Sequence, residues 1–214
     1  MEILFEDESL TVVIKPPNEL SEQTPDGNGF ADRLAQRNPN RYVGVIHRLD
    51  RGVGGVMVYA RTASAAAKLS AAVQSRTLHK EYLAIVHGSP KSSTGRMIDL
   101  LFHDRIRNKS FVVDRMRKGV KEAILDYEVI DTVEHTAYGR LSLVRIALLT
   151  GRTHQIRVQF SSRGYPLLGD GKYGASDGCP VGLFSHQIAF PHPKTGEKLT
   201  FSAKPSGGAW DLFC

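Results

Sequence analysis

The stretch VGVIHRLDRGVGGVMVYA, residues 43–60, places a polar segment between two apolar runs. VGVI and GGVMVYA are rich in valine and have the character of buried strands. The first run is followed by HRLD (47–50), which ends in Asp50. Three glycines, Gly52, Gly54 and Gly55, come soon after this aspartate. Glycine lets a backbone turn sharply or approach a ligand closely. The pattern therefore predicts a carboxylate on a tight loop between two strands.

Further strands and helices are predicted on both sides of this stretch. Runs that are apolar or alternating, with Gly, Pro or Asn at their ends, indicate strands. These runs are ILF (3–5), LTVVIK (10–15), KEYLAIVHG (80–88), AILDYEVI (123–130), LSLVRIALL (141–149), LFSHQIAF (183–190) and KLTFSA (198–203). GFADRLAQRN (29–38), which ends before Pro39, is expected to form a helix. ASAAAKLSAAVQSR (63–76) is expected to form another, with Thr62 as its N-cap.

The order of these elements indicates the fold class. Several strands follow one another without helices between them, which favours an α+β protein with a mostly antiparallel sheet. No shift in composition divides the chain, so a single domain over residues 1–214 is expected.

The segment GRTHQIRVQFSSRG, residues 151–164, has two interpretations. Ile156, Val158 and Phe160 alternate as in a strand. However, Thr153 is suited to cap the start of a helix and Gly164 to end one. We favour the helix, which would place His154 and Arg157 three residues apart on one face.

Composition and charge limit the binding partners and the kinds of cofactor that we expect. The formal net charge is +6 and the pI about 9.4, which favours encounter with polyanions such as nucleic acid. The chain has no long apolar run and no signal-peptide pattern at its start, so we expect a cytoplasmic protein without a membrane partner. The two cysteines, Cys179 and Cys214, are expected to be free thiols. Because phosphate-loop, dinucleotide and zinc motifs are absent from the sequence, no cofactor and no metal are expected.

Four features carry candidate chemistry, and each also has a simpler structural interpretation. Asp50, with Arg48 and Arg51 beside it, would stay ionised and could act as a nucleophile or base, or it could be an inert surface ion pair. Tyr82 could stack on a base, or it could fill the buried face of a strand. Arg157 has the planar fork that suits a carboxylate, or it could be a solvated helix charge. The basic residues 95–122 could contact phosphates, or they could form a solvated loop.

In order along the chain, these motifs resemble the RluA-like family of RNA pseudouridine synthases. The matching segments are LTVVIKPP (10–17), HRLDRGVGGVMVYART (47–62), LHKEYLAIVHG (78–88), LLTGRTHQIRVQFSSRGYPLLGDGKYG (148–174) and LFSHQIAFPHPKTGEKLTFSA (183–203). The resemblance extends over roughly residues 3–204. It implies an α+β domain with a long, mostly antiparallel sheet and a central cleft, into which a uridine flips out of the RNA. One departure is Val53-Gly54-Gly55, where the family often has Thr-Ser-Gly.

The resemblance also implies roles for individual residues. Asp50 matches the catalytic aspartate, Tyr82 the tyrosine that packs on the uracil, and Arg157 the basic residue that pairs with the aspartate. Ile156 matches the apolar residue that lines the pocket, and Arg48 the arginine that takes the place of the flipped base. His47 and His154, in the same two motifs, are expected substrate-binding residues.

The expected partner is ribosomal or transfer RNA, and the expected state is a monomer. The N-terminal S4-type RNA-binding module of some relatives is not expected, because the resemblance begins at about residue 3. One alternative is an RNA-binding protein that has lost turnover. Another is a glycosidase-type or nucleosidase-type hydrolase, which would need a second carboxylate. The candidates for that carboxylate are Asp99, Asp104 and Asp170.

Overall fold

The structure, a computed structural model, describes residues 1–37 and 42–213. In chain order its elements are β1 (Glu2–Glu6), β2 (Leu10–Lys15), α1 (Phe30–Arg37), β3 (Gly44–Val45), β4 (Gly54–Ala60), α2 (Ala63–Gln74), β5 (His79–His87), β6 (Thr94–Asp104), β7 (Lys109–Val113), β8 (Val120–His135), β9 (Gly139–Leu148), α3 (Gln155–Ser161), β10 (Leu183–Pro191) and β11 (Lys198–Ser202), followed by a 3-10 helix, Gly208–Phe213. The expected strands are thus all present. The expected strand VGVI is reduced to the two residues of β3.

These elements divide between two compact units. The first unit comprises Met1–Lys80 and Phe184–Pro205, and the second comprises Glu81–Leu183 and Ser206–Cys214. The expectation of a single domain over the whole chain stays a prediction. Cys214 and the expected end of the first helix near Pro39 lie outside the described residues.

In the first unit the strand order is β1-β2-β4-β10, with β3 on β4 and β11 on β10. All of these pairs are antiparallel except β4 with β10, which is parallel. Apolar side chains of β2, β4 and β10 form a core against α2. Thr62 caps α2 as expected, because its side chain accepts the Ala65 N–H at 3.1 Å.

In the second unit the strand order is β5-β9-β8-β6-β7. The pairs β9-β8, β8-β6 and β6-β7 are all antiparallel. Residues 95–122, predicted only as a basic segment, therefore form most of β6, a turn, β7, a loop and the start of β8. A buried apolar cluster of β5 and β9 is packed against side chains of the C-terminal 3-10 helix.

The ambiguous segment 151–164 is a helix, as favoured, but its start differs from the prediction. α3 begins at Gln155, and its N-cap is His154 rather than Thr153. His154 has φ 54° and ψ 25°, a left-handed conformation that is uncommon outside glycine. His154 therefore lies before the helix, and it does not share a helical face with Arg157. Gly164, with φ +82°, follows the helix where the chain turns away.

Among residues 1–37 and 42–213, no helix is long and apolar enough to cross a membrane. Over the same ranges, His, Cys, Asp and Glu side chains do not gather in threes as a metal site would require. Cys179 is a free, partly buried thiol.

Candidate active site

The HRLD segment is clamped to the loop that follows β2. The backbone N–H of Leu49 donates to Ser21 Oγ at 3.0 Å, and that hydroxyl donates back to the Leu49 carbonyl at 3.1 Å. The hydroxyl of Tyr59, on β4, donates to the Ser21 carbonyl at 2.8 Å. Ser21 is fully buried. These bonds fix the backbone one residue before Asp50.

The loop after Asp50 turns tightly into β4. The Val53 N–H donates to the Asp50 carbonyl at 2.9 Å, and the Asp50 side chain is half-buried. Gly55 has φ +125°, and a Cβ there would lie 2.3 Å from the Ser185 carbonyl oxygen of β10. This glycine was expected to allow a sharp turn or approach to a ligand. It is required because the backbone of a neighbouring strand lies against it.

A buried cation, Lys15, lies near this loop and was not singled out from the sequence. Its side chain is fully buried, and Nζ donates to the carbonyls of Pro16 at 2.7 Å and Glu19 at 2.8 Å. Burial lowers the pKa of Lys15 to about 8, opposed by the negative charges of Glu19 and Asp50. At pH 7 Lys15 is therefore mostly charged and contributes positive potential at Asp50. A lysine at the end of LTVVIK resembles an ordinary strand end, so this role leaves little signal in the sequence.

His47 is a buried, neutral histidine. Burial lowers its pKa to about 3, and the positive charge of Lys80 acts in the same direction. Its Nε2 accepts the Val58 N–H at 3.2 Å, so the proton of the neutral ring is on Nδ1. That Nδ1 has no hydrogen-bond partner among the residues that the structure describes. The expected substrate-binding residue therefore has a buried donor that lacks an acceptor.

Arg48 is exposed and is held by one ion pair. Its Nη1 lies 3.0 Å from Glu22 Oε1, and both side chains are solvent-accessible. Ion pairs of this kind contribute about 0–1 kcal/mol, so Arg48 can leave Glu22 at little cost in free energy.

In the second unit Arg157 forms a two-bond ion pair with Asp170. Arg157 Nε lies 2.7 Å from Asp170 Oδ2, and Nη2 lies 2.7 Å from Oδ1. The Asp170 side chain is 0% exposed and that of Arg157 is 13% exposed. Parallel hydrogen bonds between a guanidinium and a carboxylate are among the strongest in proteins. The sequence did not predict this partner for Arg157.

Tyr173 joins Arg157 and His154. The Arg157 guanidinium carbon lies 5.2 Å from the centroid of the Tyr173 ring, and His154 Nδ1 lies 2.9 Å from the Tyr173 hydroxyl. That hydroxyl also accepts the Ser110 N–H at 2.8 Å. Burial raises the pKa of Tyr173, opposed by the hydrogen bond from Ser110 and the charge of Arg157. The hydroxyl therefore stays protonated near pH 7.

Tyr82 and Ile156 are both buried in the second unit, on β5 and α3 respectively. Within each unit the structure thus brings expected site residues together. His47, Arg48 and Asp50 lie on one clamped segment, whereas His154 and Arg157 meet at Tyr173. The expected pairing of Arg157 with Asp50, which belong to different units, stays a prediction.

Comparison with known proteins assigns these motifs to a family. The family model described as RNA pseudouridylate synthase matches residues 9–162. The chain belongs to this family. The resemblance stated from the motifs is thereby confirmed.

Two curated relatives show the extent of the similarity. An uncharacterized RNA pseudouridine synthase of Synechocystis sp. is 32% identical over 215 residues, covering 94% of this chain and 64% of that protein. A ribosomal large subunit pseudouridine synthase D of Vibrio cholerae is 34% identical over 229 residues, covering 95% of this chain and 67% of that protein. The chain thus spans about two thirds of the length of these relatives.

Two human pseudouridylate synthase structures share the fold. RNA pseudouridylate synthase domain containing 1 aligns with a TM-score of 0.77 at 23% identity, covering 96% of this chain and 83% of that chain. RNA pseudouridylate synthase domain containing 4 aligns with a TM-score of 0.76 at 23% identity, covering 95% and 88%. The predicted α+β class is confirmed.

The basic segment 95–122 contains some side chains that are paired with carboxylates and others that are not. Arg96 is paired with Asp126, and Arg107 lies 3.7 Å from Asp104. The other basic side chains with no carboxylate partner in the described part of the chain are Arg105, Lys109, Arg115, Arg117, Lys118 and Lys121. Three of them, at positions 115, 117 and 118, are exposed together in the loop between β7 and β8. This loop is the densest group of unpaired positive charge in the segment.

Proposed function

We propose that this chain converts a uridine of ribosomal or transfer RNA into pseudouridine, with Asp50 as the nucleophile. The observation that carries the proposal is Asp50 itself, half-buried on a loop clamped by Ser21 and near the buried cation Lys15. Family membership supplies the reaction class. A fixed carboxylate in a positive environment is suited to nucleophilic attack.

The reaction breaks the bond from ribose to a uracil nitrogen and forms a bond from the same sugar carbon to a uracil carbon. The base must turn within the pocket without escaping, so a covalent or tightly held intermediate is needed. A carboxylate nucleophile divides this change into two easier steps. As a nucleophile, Asp50 can attack either the uracil ring or the sugar carbon.

Base flipping has a cost that the pocket must offset. Unstacking a nucleotide costs a few kcal/mol. This cost is recovered from protein contacts to the extruded base and to the gap that the base leaves in the RNA stack. We assign stacking on the uracil to Tyr82 and the filling of the gap to Arg48. The single exposed ion pair of Arg48 with Glu22 supports this assignment, because it costs little to break.

His47 is assigned to substrate contact on its own geometry. A buried donor without an acceptor costs about 1–3 kcal/mol, so an oxygen supplied by the RNA or by an ordered water would stabilise it. His154 is held in orientation by the contact of its Nδ1 with the Tyr173 hydroxyl, and we assign it to substrate contact.

The hydrolase alternative loses support from the structure. Asp170 is fully engaged by Arg157, and Asp99 is engaged by Arg163 and Gln159. Asp104 accepts two backbone N–H groups in the turn between β6 and β7. Each candidate second carboxylate thus has a structural partner that explains its place in the fold without a catalytic role.

The test is tritium release from RNA labelled at the uracil carbon that loses its hydrogen when pseudouridine forms. Unmodified ribosomal and transfer RNA transcripts would be incubated with the native protein and with Asp50→Asn, which keeps the shape and removes the nucleophile. We expect release with the native protein only, and unchanged RNA affinity for Asp50→Asn in filter binding. Substantial turnover by Asp50→Asn would show that Asp50 is not the nucleophile.

Two other outcomes would separate the alternatives. Free uracil among the products would identify a hydrolase. Tight RNA binding with no release from either RNA pool would favour a binding protein that has lost turnover.

A further inference from the structure

The ion pair between Arg157 and Asp170 fixes the orientation of a guanidinium as well as the position of a charge. Asp170 binds Nε and Nη2, and so occupies two of the five N–H groups of the fork. The Tyr173 ring lies against the guanidinium, with the central carbon 5.2 Å from the ring centroid, and so restricts its plane.

The turn that carries Asp170 is rigidly attached to the second unit. The backbone of Leu168 is bonded to Ile85 of β5 at 2.9 Å and to Gly182 at 2.8 Å. The Gly169 N–H donates to Asp177 Oδ2 at 2.7 Å. A Cβ on Gly169 would lie 2.4 Å from the Pro180 carbonyl oxygen, so the turn packs closely against this segment and requires glycine there.

The Asp170 backbone is itself part of this turn. Its carbonyl accepts the N–H groups of Tyr173 at 3.0 Å and Ala175 at 3.1 Å. The carboxylate and the ring that contact Arg157 therefore belong to one hydrogen-bonded unit. Arg157, with several rotatable bonds, is the part that adapts to it.

We infer that Asp170 is a positioning residue for the isomerisation of uridine, because its two bonds to Nε and Nη2 fix the orientation in which Arg157 presents its guanidinium. This inference rests on the proposed function. Asp170 itself touches neither the base nor the sugar in this scheme. It acts through Arg157, and Tyr173 supports the same orientation.

Kinetics of Asp170→Asn test the inference, with Asp177→Asn as the matched control. Asp177 holds the same turn through the Gly169 N–H, and its other side-chain partner is His87. Because small misplacement of a site group can cost about 100-fold in rate, we expect Asp170→Asn to lower kcat by up to that factor with little change in KM. Asp170→Glu should recover part of kcat, and the folded Asp177→Asn protein should keep it. Equal losses for Asp170→Asn and Asp177→Asn would show that the turn has only a structural role.

A second measurement does not require turnover. In ¹⁵N NMR of the native protein, the two Nη atoms of Arg157 should give separate signals, because the fork cannot rotate. In Asp170→Asn the two signals should merge. Merged signals in the native protein would overturn the inference, even if Asp170→Asn failed to fold. Absence of pseudouridine with separate native signals would refute the proposed function and leave the fixed fork intact.

Discussion

Both carboxylate oxygens of Asp170 lie 2.7 Å from nitrogens of Arg157, and the carboxylate is completely buried. The sequence suggested that loss of Arg157 would leave Asp50 unpaired. The structure shows a consequence for Asp170, because this fully buried carboxylate would lose the guanidinium that compensates its charge. Stability and activity can therefore be separated at this pair.

Arg157→Met should both destabilise the protein and abolish turnover. Breaking a buried pair from one side costs about 3–5 kcal/mol, because the remaining charge is uncompensated. The double variant Arg157→Met/Asp170→Leu should regain much of that stability without regaining activity. Urea unfolding and tritium release on both variants provide the test. As a control, Arg163→Met should cost less, because the pair of Arg163 with Asp99 is more exposed. An active double variant would remove Arg157 from the site.

The loop between β7 and β8 should contribute to RNA affinity by binding phosphates. Replacing Arg115, Arg117 and Lys118 by Ala should weaken binding and make the dependence of log affinity on log salt shallower. The expected decrease in slope is about 0.7 for each phosphate of a single strand that the variant no longer neutralises, or about 2 for all three substitutions.

The chain offers a control with the same change in net charge. Arg96, Arg140 and Arg145 are exposed but paired with carboxylates, so replacing these three by Ala should leave the slope closer to the native value. Filter-binding titrations at several salt concentrations measure the slope for each triple variant and for the native protein. Equal slopes for the two triple variants would show that the loop has no special role in binding phosphates.

Arg48 should affect turnover through the RNA and not through the fold. Arg48→Ala should lower kcat/KM on structured RNA, where a base must leave a stack, and should have a smaller effect on a single-stranded substrate. Glu22→Gln, which releases Arg48 from its ion pair, should not reduce turnover and should leave stability nearly unchanged. The measurement is kcat/KM of each variant on a base-paired and on a single-stranded RNA substrate. Equal effects of Arg48→Ala on both substrates would argue against the gap-filling role.

Local signals explain what could be predicted from the sequence. α2 and its Thr62 cap depend on residues close together in the chain, and the strands of KEYLAIVHG and LSLVRIALL depend on apolar runs. The motif residues Asp50 and Arg157 were recognisable because whole segments match a family. Ile156, expected to line the pocket, is buried on α3, and its role in the pocket stays a prediction.

The features that were not predicted depend on contacts between distant segments. His154 adopts a left-handed conformation and is bonded to Tyr173, nineteen residues further on, so Thr153 does not cap the helix. Lys15 is buried because the loop after β2 supplies carbonyls to its ammonium group. Asp170 becomes the partner of Arg157 only when the turn at Gly169 is formed. None of these relations leaves a periodic or spaced pattern in the sequence.

His47 should make stability fall at acidic pH. Its pKa is about 3 in the folded protein and 6.5 in the reference state, so the unfolded chain binds the proton more tightly. The contribution of neutral His47 is thus complete above pH 6.5 and is lost as pH falls from 6.5 towards 3. At about 1.4 kcal/mol for each pKa unit, the loss at pH 4 is about 3 kcal/mol.

His47→Gln is the matched variant, because its side-chain oxygen can accept the Val58 N–H and the group does not titrate. Urea unfolding of both proteins at pH 7, 5.5 and 4 isolates the His47 contribution as the difference between two curves, since other groups titrate alike in both. We expect the native protein to lose stability relative to His47→Gln as the pH falls. Parallel curves would mean that His47 reaches solvent or finds an anionic partner in the folded state, and the buried Nδ1 donor proposed for substrate contact would then not exist.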